Sequence, residues 1–286
     1  MSDNPTRGIT DWHTHCYLPE HRSPEAMAER IKYGVRGGEA WPDEHRAAMD
    51  EGNITQFVVV NVPRRPGHEV PNEFIAEYCS LYPGRAIGLA SVHPNDPTAF
   101  DDFENSIKNL GLKGLKLSPV YQGFDPWSPE AWRLYYMAQD FGVPVMFHMG
   151  GMYDPKGTLE WGDVLALDKV ARAARDLKII VAHFGQPQMQ ETVMLLRKNL
   201  NVFTDLSARF HRKWQLYNGL QVAIEYKVTD RILFGSDFPV MKPGLAADAF
   251  RNINDWGDGI KLPPIPADLI DRILHERPFS LMGLEA

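Results

Sequence analysis

Short apolar runs rich in β-branched residues recur along the chain, and each is followed by a stretch whose apolar positions repeat with helical spacing. Eight such runs stand out, at 9–13, 55–61, 86–92, 113–117, 143–148, 178–183, 201–207 and 231–237. Between them the spacing and the N-terminal signals predict helices, among them 43–49, 72–81, 128–141 with Pro129 in its first turn, and 163–175. Strand then helix, eight times over, predicts an α/β fold of the (β/α)8 barrel type. A doubly wound sheet is the alternative, but it does not usually need eight units, and no Gly-rich phosphate loop follows the first run. No composition shift or low-complexity stretch marks a boundary, so 1–286 is expected to form one domain. The widest segment expected to be irregular is 17–42, after the first strand, where barrels of this kind carry loops that shape their sites.

Composition narrows the options. With 44% apolar and 23% charged residues the chain has the make-up of an ordinary soluble globular protein. No apolar run approaches the roughly 18 to 20 residues of a transmembrane helix, and the first residues lack the apolar stretch of a signal peptide, so a cytoplasmic protein is expected. Thirty basic against thirty-seven acidic residues leave a formal charge of −7, with no basic block to follow a phosphate backbone. Expected partners are therefore a small molecule, neither nucleic acid nor membrane, with a homo-oligomer left open. The two cysteines, Cys16 and Cys79, make neither a disulfide framework nor a CxxC metal site.

The candidate chemistry lies at the ends of the predicted strands, because barrels of this type build their sites at that face. Strand one ends in Asp11-Trp12-His13-Thr14-His15, and period-two alternation puts Asp11, His13 and His15 on one face with Trp12 and Thr14 on the other. Strand five ends in His148, strand six in His183 and strand eight in Asp237. Each is weak evidence alone: a lone HxH is common, single histidines are more often satisfied core or loop residues, and Asp237 ahead of Phe238-Pro239 reads equally as a turn residue. Together they occupy the same relative place in repeats one, five, six and eight, which chance does not explain. Such nitrogen and oxygen donors suit Zn²⁺, Mn²⁺ or Fe²⁺ with an open coordination position.

The segments DWHTH, GLKGLKLSP, PVMFHMGG, IIVAHFGQP and ILFGSDFP, in this order, resemble the successive motifs of the amidohydrolase superfamily, in the branch called amidohydrolase family 2. The resemblance runs from Asp11 to about Pro239. It implies a distorted (β/α)8 barrel with one divalent metal, Zn²⁺ first and Mn²⁺ second, held by His13, His15, His148 and Asp237, with His183 beside it as a ligand or polarising group. It also implies a choice among hydrolase, lactonase, hydratase and non-oxidative decarboxylase chemistry. Some members of the superfamily carboxylate a lysine on the fourth strand to bridge two metals; Lys116 stands at that place, and this role is the minority expectation beside that of a counter-ion. One departure is Arg277-Pro278, where relatives often carry Asn-Ala, so the last helix is expected to dock differently.

On this reading the chain is a metal-dependent hydrolase of a lactone, ester or amide bond. The metal activates a water, Asp237 transfers the proton, and His183 stabilises the developing oxyanion. The runner-up is a metal-dependent decarboxylase of an unsaturated or aromatic acid, and the third option a barrel that binds metal or ligand without turnover. Substrate contacts are expected from Arg64, Lys116, Arg209 and His211, with Arg65, Tyr121, Gln122 and Trp127 nearby. For the arginines and His211, solvated loop charges are an equal reading. Specificity is expected in the loops 17–42, 63–71, 119–129 and 207–216.

Overall fold

The computed structural model describes residues 8–32, 39–63, 65–152, 154–255 and 261–286. Eight strands form one sheet in sequence order, every neighbouring pair parallel: β1 Ile9–Thr14, β2 Ile54–Val60, β3 Ala86–Ser91, β4 Leu115–Leu117, β5 Val145–Phe147, β6 Ile179–Val181, β7 Val202–Asp205 and β8 Ile232–Leu233. The last strand meets the first through Trp12 N to Phe234 O at 2.9 Å, Asp237 N to His13 O at 2.8 Å and His15 N to Phe238 O at 2.9 Å. This is the (β/α)8 barrel that the alternation of runs predicts, and no described helix is long and apolar enough to cross a membrane.

The helices are α1 Pro24–Lys32, α2 Pro42–Glu51, α3 Asn72–Ser80, α4 Ala99–Lys108, α5 Pro119–Gln122, α6 Pro129–Asp140, α7 Ala166–Ala173, α8 Met189–Lys198, α9 Lys213–Glu225, α10 Pro243–Arg251 and α11 Ala267–His275, and α2, α3, α6 and α7 match the four ranges read from sequence. Proline opens α6 at a position whose N–H has no helical partner anyway, and the Ser128 hydroxyl caps it by accepting from Ala131 N. The helices of the second and fourth repeats thus start where sequence signals place them. The segment 17–42 is less irregular than expected, since it contains α1 and a short 3-10 turn at Pro19–His21. In 163–175 the helix begins later, because the Asp163 carboxylate accepts from Leu165 N in a turn that delays it.

Alternating strand residues divide the apolar core in two. Phe57, Val59, Leu115, Leu117, Val145, Phe147, Ile179 and Val181 pack outward among the helices. Val58, Val60, Ile87, Leu89, Met146, Ile180 and Leu233 fill the barrel interior. Trp12 joins this interior group, against the simple alternation expected of strand one. The register explains it: Asp11 pairs with Phe57 and Thr14 with Val59, so β1 spends one extra residue there, as in a β-bulge.

The C-terminal segment closes the floor. Trp12 Nε1 donates to Arg277 O at 2.7 Å, Arg277 Nε reaches Ile232 O, and Lys178 Nζ donates to Met282 O at 2.6 Å. Phe279, Met282 and Leu284 enter the interior group, with Phe279 edge-on to Trp12 at 5.7 Å. Arg277 therefore belongs to the docking of the tail under the barrel. Phe279→Ala is expected to destabilise the protein by about 3 to 5 kcal/mol, read as a lowered denaturant midpoint, with bound metal per folded chain unchanged because the floor is the face opposite the strand ends.

Candidate active site

Three side chains converge where β1 and the end of β8 meet. Asp237 Oδ1 lies 3.2 Å from His15 Nε2 and 3.5 Å from His13 Nε2, and the three offer ligand atoms within 4.8 Å of one another. Local backbone chemistry makes the convergence. Asp11 Oδ1 accepts from His13 N at 3.1 Å and from Ser236 N at 3.0 Å, stapling the two segments together. Gly235 leaves the room: a Cβ there would sit 3.0 Å from His13 Cβ and 3.1 Å from Ser207 Cβ. Asp237 itself takes φ +60°, which turns its carboxylate back toward the histidines.

Each histidine is pinned through one ring nitrogen. His15 Nδ1 faces Val60 O at 2.7 Å and His148 Nε2 faces Gly151 O at 3.2 Å; carbonyls only accept, so these nitrogens carry the protons. His13 Nδ1 donates to Asp205 Oδ2 at 3.0 Å. Ser207 gives its hydroxyl hydrogen to Asp205 Oδ1 and so accepts from His183 Nδ1, 2.7 Å away. All four rings are left with one nitrogen lone pair, His13 Nε2, His15 Nε2, His148 Nδ1 and His183 Nε2. Burial favours this neutral state, pushing His148 down to about 3 and His15 and His183 below their ordinary value.

Burial alone would raise the Asp237 carboxyl, but positive charge at the surrounding His183, His15 and His13, carried by a proton or by a shared cation, outweighs it and holds the group well below the usual carboxylate range. Two imidazole lone pairs therefore face an ionised carboxylate oxygen, and His13 Nε2 is buried with no hydrogen-bond partner among the described residues. Acceptors facing one another repel unless a cation joins them, so the donor set fits a divalent metal. The hydrogen bonds behind the rings, to a carboxylate and to carbonyls, are those that orient metal-ligating histidines.

The other predicted residues fall around this centre. His148 lies outside the converging trio, its ring 4.8 Å from that of His183 and 4.9 Å from that of Tyr121. The His183 ring stacks on His13 at 4.8 Å. Lys116 is buried inside the barrel on β4, Arg209 is buried after β7, and His211 is half-buried before α9. Arg65 holds its guanidinium 4.9 Å over the Tyr121 ring. Arg64 lies outside the described residues.

Two parts of the site are absent from the residues singled out by sequence. Asp205 accepts from His13 Nδ1, His183 N, Ser207 N and Ser207 Oγ, and so joins β1, β6 and β7. Its signal was its place at a strand end, two residues before Ser207. His45 on α2 supports β1 from behind. Tyr78 donates to His45 Nδ1, His45 Nε2 to Thr14 Oγ1, and Thr14 to Val58 O, all at 2.8 to 2.9 Å. The His45 ring also meets Phe238 edge-on at 5.5 Å. A lone histidine on a helix gives no sequence signal of this kind.

The family model for amidohydrolases matches residues 10–278. The chain belongs to the amidohydrolase family. Its members are metal-dependent enzymes that include hydrolases and decarboxylases. Among solved structures, a 2,6-dihydroxybenzoate decarboxylase complexed with 2,6-dihydroxybenzoate is similar at 17% identity and a TM-score of 0.69, covering 98% of this chain and 100% of that one. A probable 2-pyrone-4,6-dicarboxylic acid hydrolase from Acinetobacter baumannii, with citric acid bound, is similar at 18% and 0.66, covering 97% and 100%. A dihydroxybenzoic acid decarboxylase from a Polaromonas species, with bound manganese and 2-nitroresorcinol, is similar at 18% and 0.65, covering 95% of each chain. At these identities the likeness is one of fold. No curated protein sequence matches significantly.

Asp205→Asn keeps the shape of this amidohydrolase site but removes the charged acceptor behind His13. Metal affinity, measured by competition with a chromophoric chelator, is expected to fall roughly 10- to 100-fold while the far-ultraviolet circular dichroism stays unchanged.

Proposed function

We propose that the chain is a metal-dependent hydrolase that cleaves a lactone, ester or amide bond of a small organic substrate, at a centre held by His13, His15, His148 and Asp237. The observation that carries this reading is the shared state of the four histidines, each pinned through one nitrogen with the other lone pair left for a ligand. A divalent ion bound there supplies a Lewis acid that polarises oxygen. Zn²⁺ is the first choice for this donor set and Mn²⁺ the second.

The chain's own groups divide the remaining work. Asp237, ionised and within reach of both β1 histidines, takes up the proton released as water attacks and returns it to the leaving group. His183 changes role from the one expected of it. Its Nδ1 hydrogen is committed to Ser207, so the neutral ring presents a lone pair and serves as a ligand or proton acceptor better than as a donor to an oxyanion. Non-oxidative decarboxylation of an unsaturated or aromatic acid is the second reading. It is supported by whole-chain likeness to two decarboxylases and by the buried Lys116 ammonium, which suits an anionic substrate. In that reaction Asp237 first takes a proton from water and then delivers it to the carbon that loses CO₂.

Protein purified without chelator is expected to carry about one divalent metal per chain by elemental analysis, and none with no gain of activity on adding any would overturn the proposal. A panel of sugar lactones, dicarboxylate lactones and hydroxybenzoates, read for both acid release and CO₂ release, separates the two reactions. Turnover confined to CO₂ release would replace hydrolysis by the second reading.

Asp237→Asn keeps one oxygen for the cation and loses the proton acceptor. Its kcat on the identified substrate is expected to fall about 10²- to 10⁴-fold with bound metal largely retained. His13→Ala is expected to lose metal and activity together. Near-normal turnover of Asp237→Asn would move the base to His183.

A further inference from the structure

On the interior side of β4, two polar groups are buried with no hydrogen-bond partner among the described residues: Lys116 Nζ and Ser118 Oγ. Leu115 and Leu117 pack outward among the helices, so alternation turns Lys116 and Ser118 to the same inner side, Ser118 one step nearer the mouth. Lys116 is 2% exposed and Ser118 fully buried. The next strand places His148 beside them, with His148 N bonded to Leu117 O at 2.9 Å.

The usual partner of a buried ammonium is a carboxylate, and two lie within electrostatic range, Asp205 and Asp237. Neither forms an ion pair with Lys116. Asp205 is filled by His13, His183 and Ser207, and Asp237 Oδ1 faces His13 and His15. Burial lowers the lysine to about 8, which still leaves it mainly charged at neutral pH. A charged donor and a hydroxyl, buried together at the mouth of a site for small molecules, call for an anion.

We propose that Lys116 Nζ and Ser118 Oγ form the receptor for a carboxylate group of the substrate, which is therefore an organic acid held on the β4 side of the His–Asp centre. This rests on the enzymatic reading above and adds the substrate class that it leaves open. Two donors match the two oxygens of a carboxylate. A phosphate would ask for more, and the backbone donor of the same residue, Ser118 N, is already given to Gln122 Oε1 at 2.8 Å.

Calorimetric titration of the metal-loaded protein with 2-hydroxybenzoate and with 2-hydroxybenzamide tests the receptor without turnover. A failure to find hydrolysis or CO₂ release would count against the reaction and leave this result standing. The wild type is expected to bind the acid about tenfold or more tightly than the amide, and Lys116→Met is expected to abolish the difference while metal content stays the same. Ser118→Ala leaves the ammonium in place and is expected to weaken the acid severalfold and the amide not at all, which keeps the test decisive should Lys116→Met fail to fold. Equal or absent binding of acid and amide by the wild type would overturn the proposal. So would a preference that survives Lys116→Met, competition by inorganic phosphate as strong as by the acid, or a lysine heavier by CO₂ accompanied by two metals per chain.

Discussion

Closure of the barrel between β1 and the end of β8 is the constraint from which the site follows. Regular pairing of β8 lasts only for Ile232–Leu233, and the seam is finished by backbone hydrogen bonds through Phe234, Asp237 and Phe238 to Trp12, His13 and His15. The residues that complete the hydrogen bonding of the last strand are the ones whose side chains converge. Barrel closure and assembly of the His–Asp centre are thus one event, and the Asp11 carboxylate, bonded to both His13 N and Ser236 N, fixes the distance between the two segments. A parallel barrel has no open edge, so the seam must close somewhere. Here it closes with an Asx-type staple and a glycine, leaving the carboxylate of Asp237 turned inward.

The two carboxylates at the mouth differ in what they have left to offer. Asp205 is saturated by four donors, and its work is to hold His13 and the His183 backbone in place. Asp237 Oδ1 meets only the Nε2 atoms of His13 and His15, which have lone pairs rather than hydrogens to present because each ring's Nδ1 carries the proton. That contrast assigns orientation to one acid and chemistry to the other on hydrogen-bond direction. The same bookkeeping moves His183 from oxyanion donor to lone-pair donor, since its hydrogen is spent on Ser207.

Most of the architecture was legible in sequence because a parallel barrel repeats one pattern. Each strand is buried on both faces, so it reads as a short apolar run, and the helix after it reads by its spacing. The strand-end residues His13, His15, His183 and Asp237 were legible for the same reason, as polar interruptions at one phase of the repeat. What escaped were effects that depend on neighbours distant in the chain. The bulge that sends Trp12 inward is set by the register with Phe57 and Val59, and the inward turn of Asp237 by its left-handed backbone. His45 reads as an ordinary helix residue until Thr14, Tyr78 and Phe238 are brought against it.

Backbone strain follows the same division between the two ends of the barrel. Six non-glycine residues among those described have positive φ, and four of them, His183, Phe184, Ala208 and Asp237, follow β6, β7 and β8 at the mouth. Each such conformation costs roughly 1 to 3 kcal/mol and persists only where its surroundings over-determine it. At the mouth they do: Phe184 is fully buried among the helices, and Asp237 N is tied to His13 O. The other two, Asn53 and Lys227, lie at the floor end ahead of β2 and β8, while Trp12, Phe279 and Met282 there bury apolar surface without positive φ. Positive φ is thus commoner at the mouth, where groups must be held in positions they would not choose alone. The bulge in β1 sets the two roles side by side, with Trp12 in the floor-side packing and His13 at the mouth.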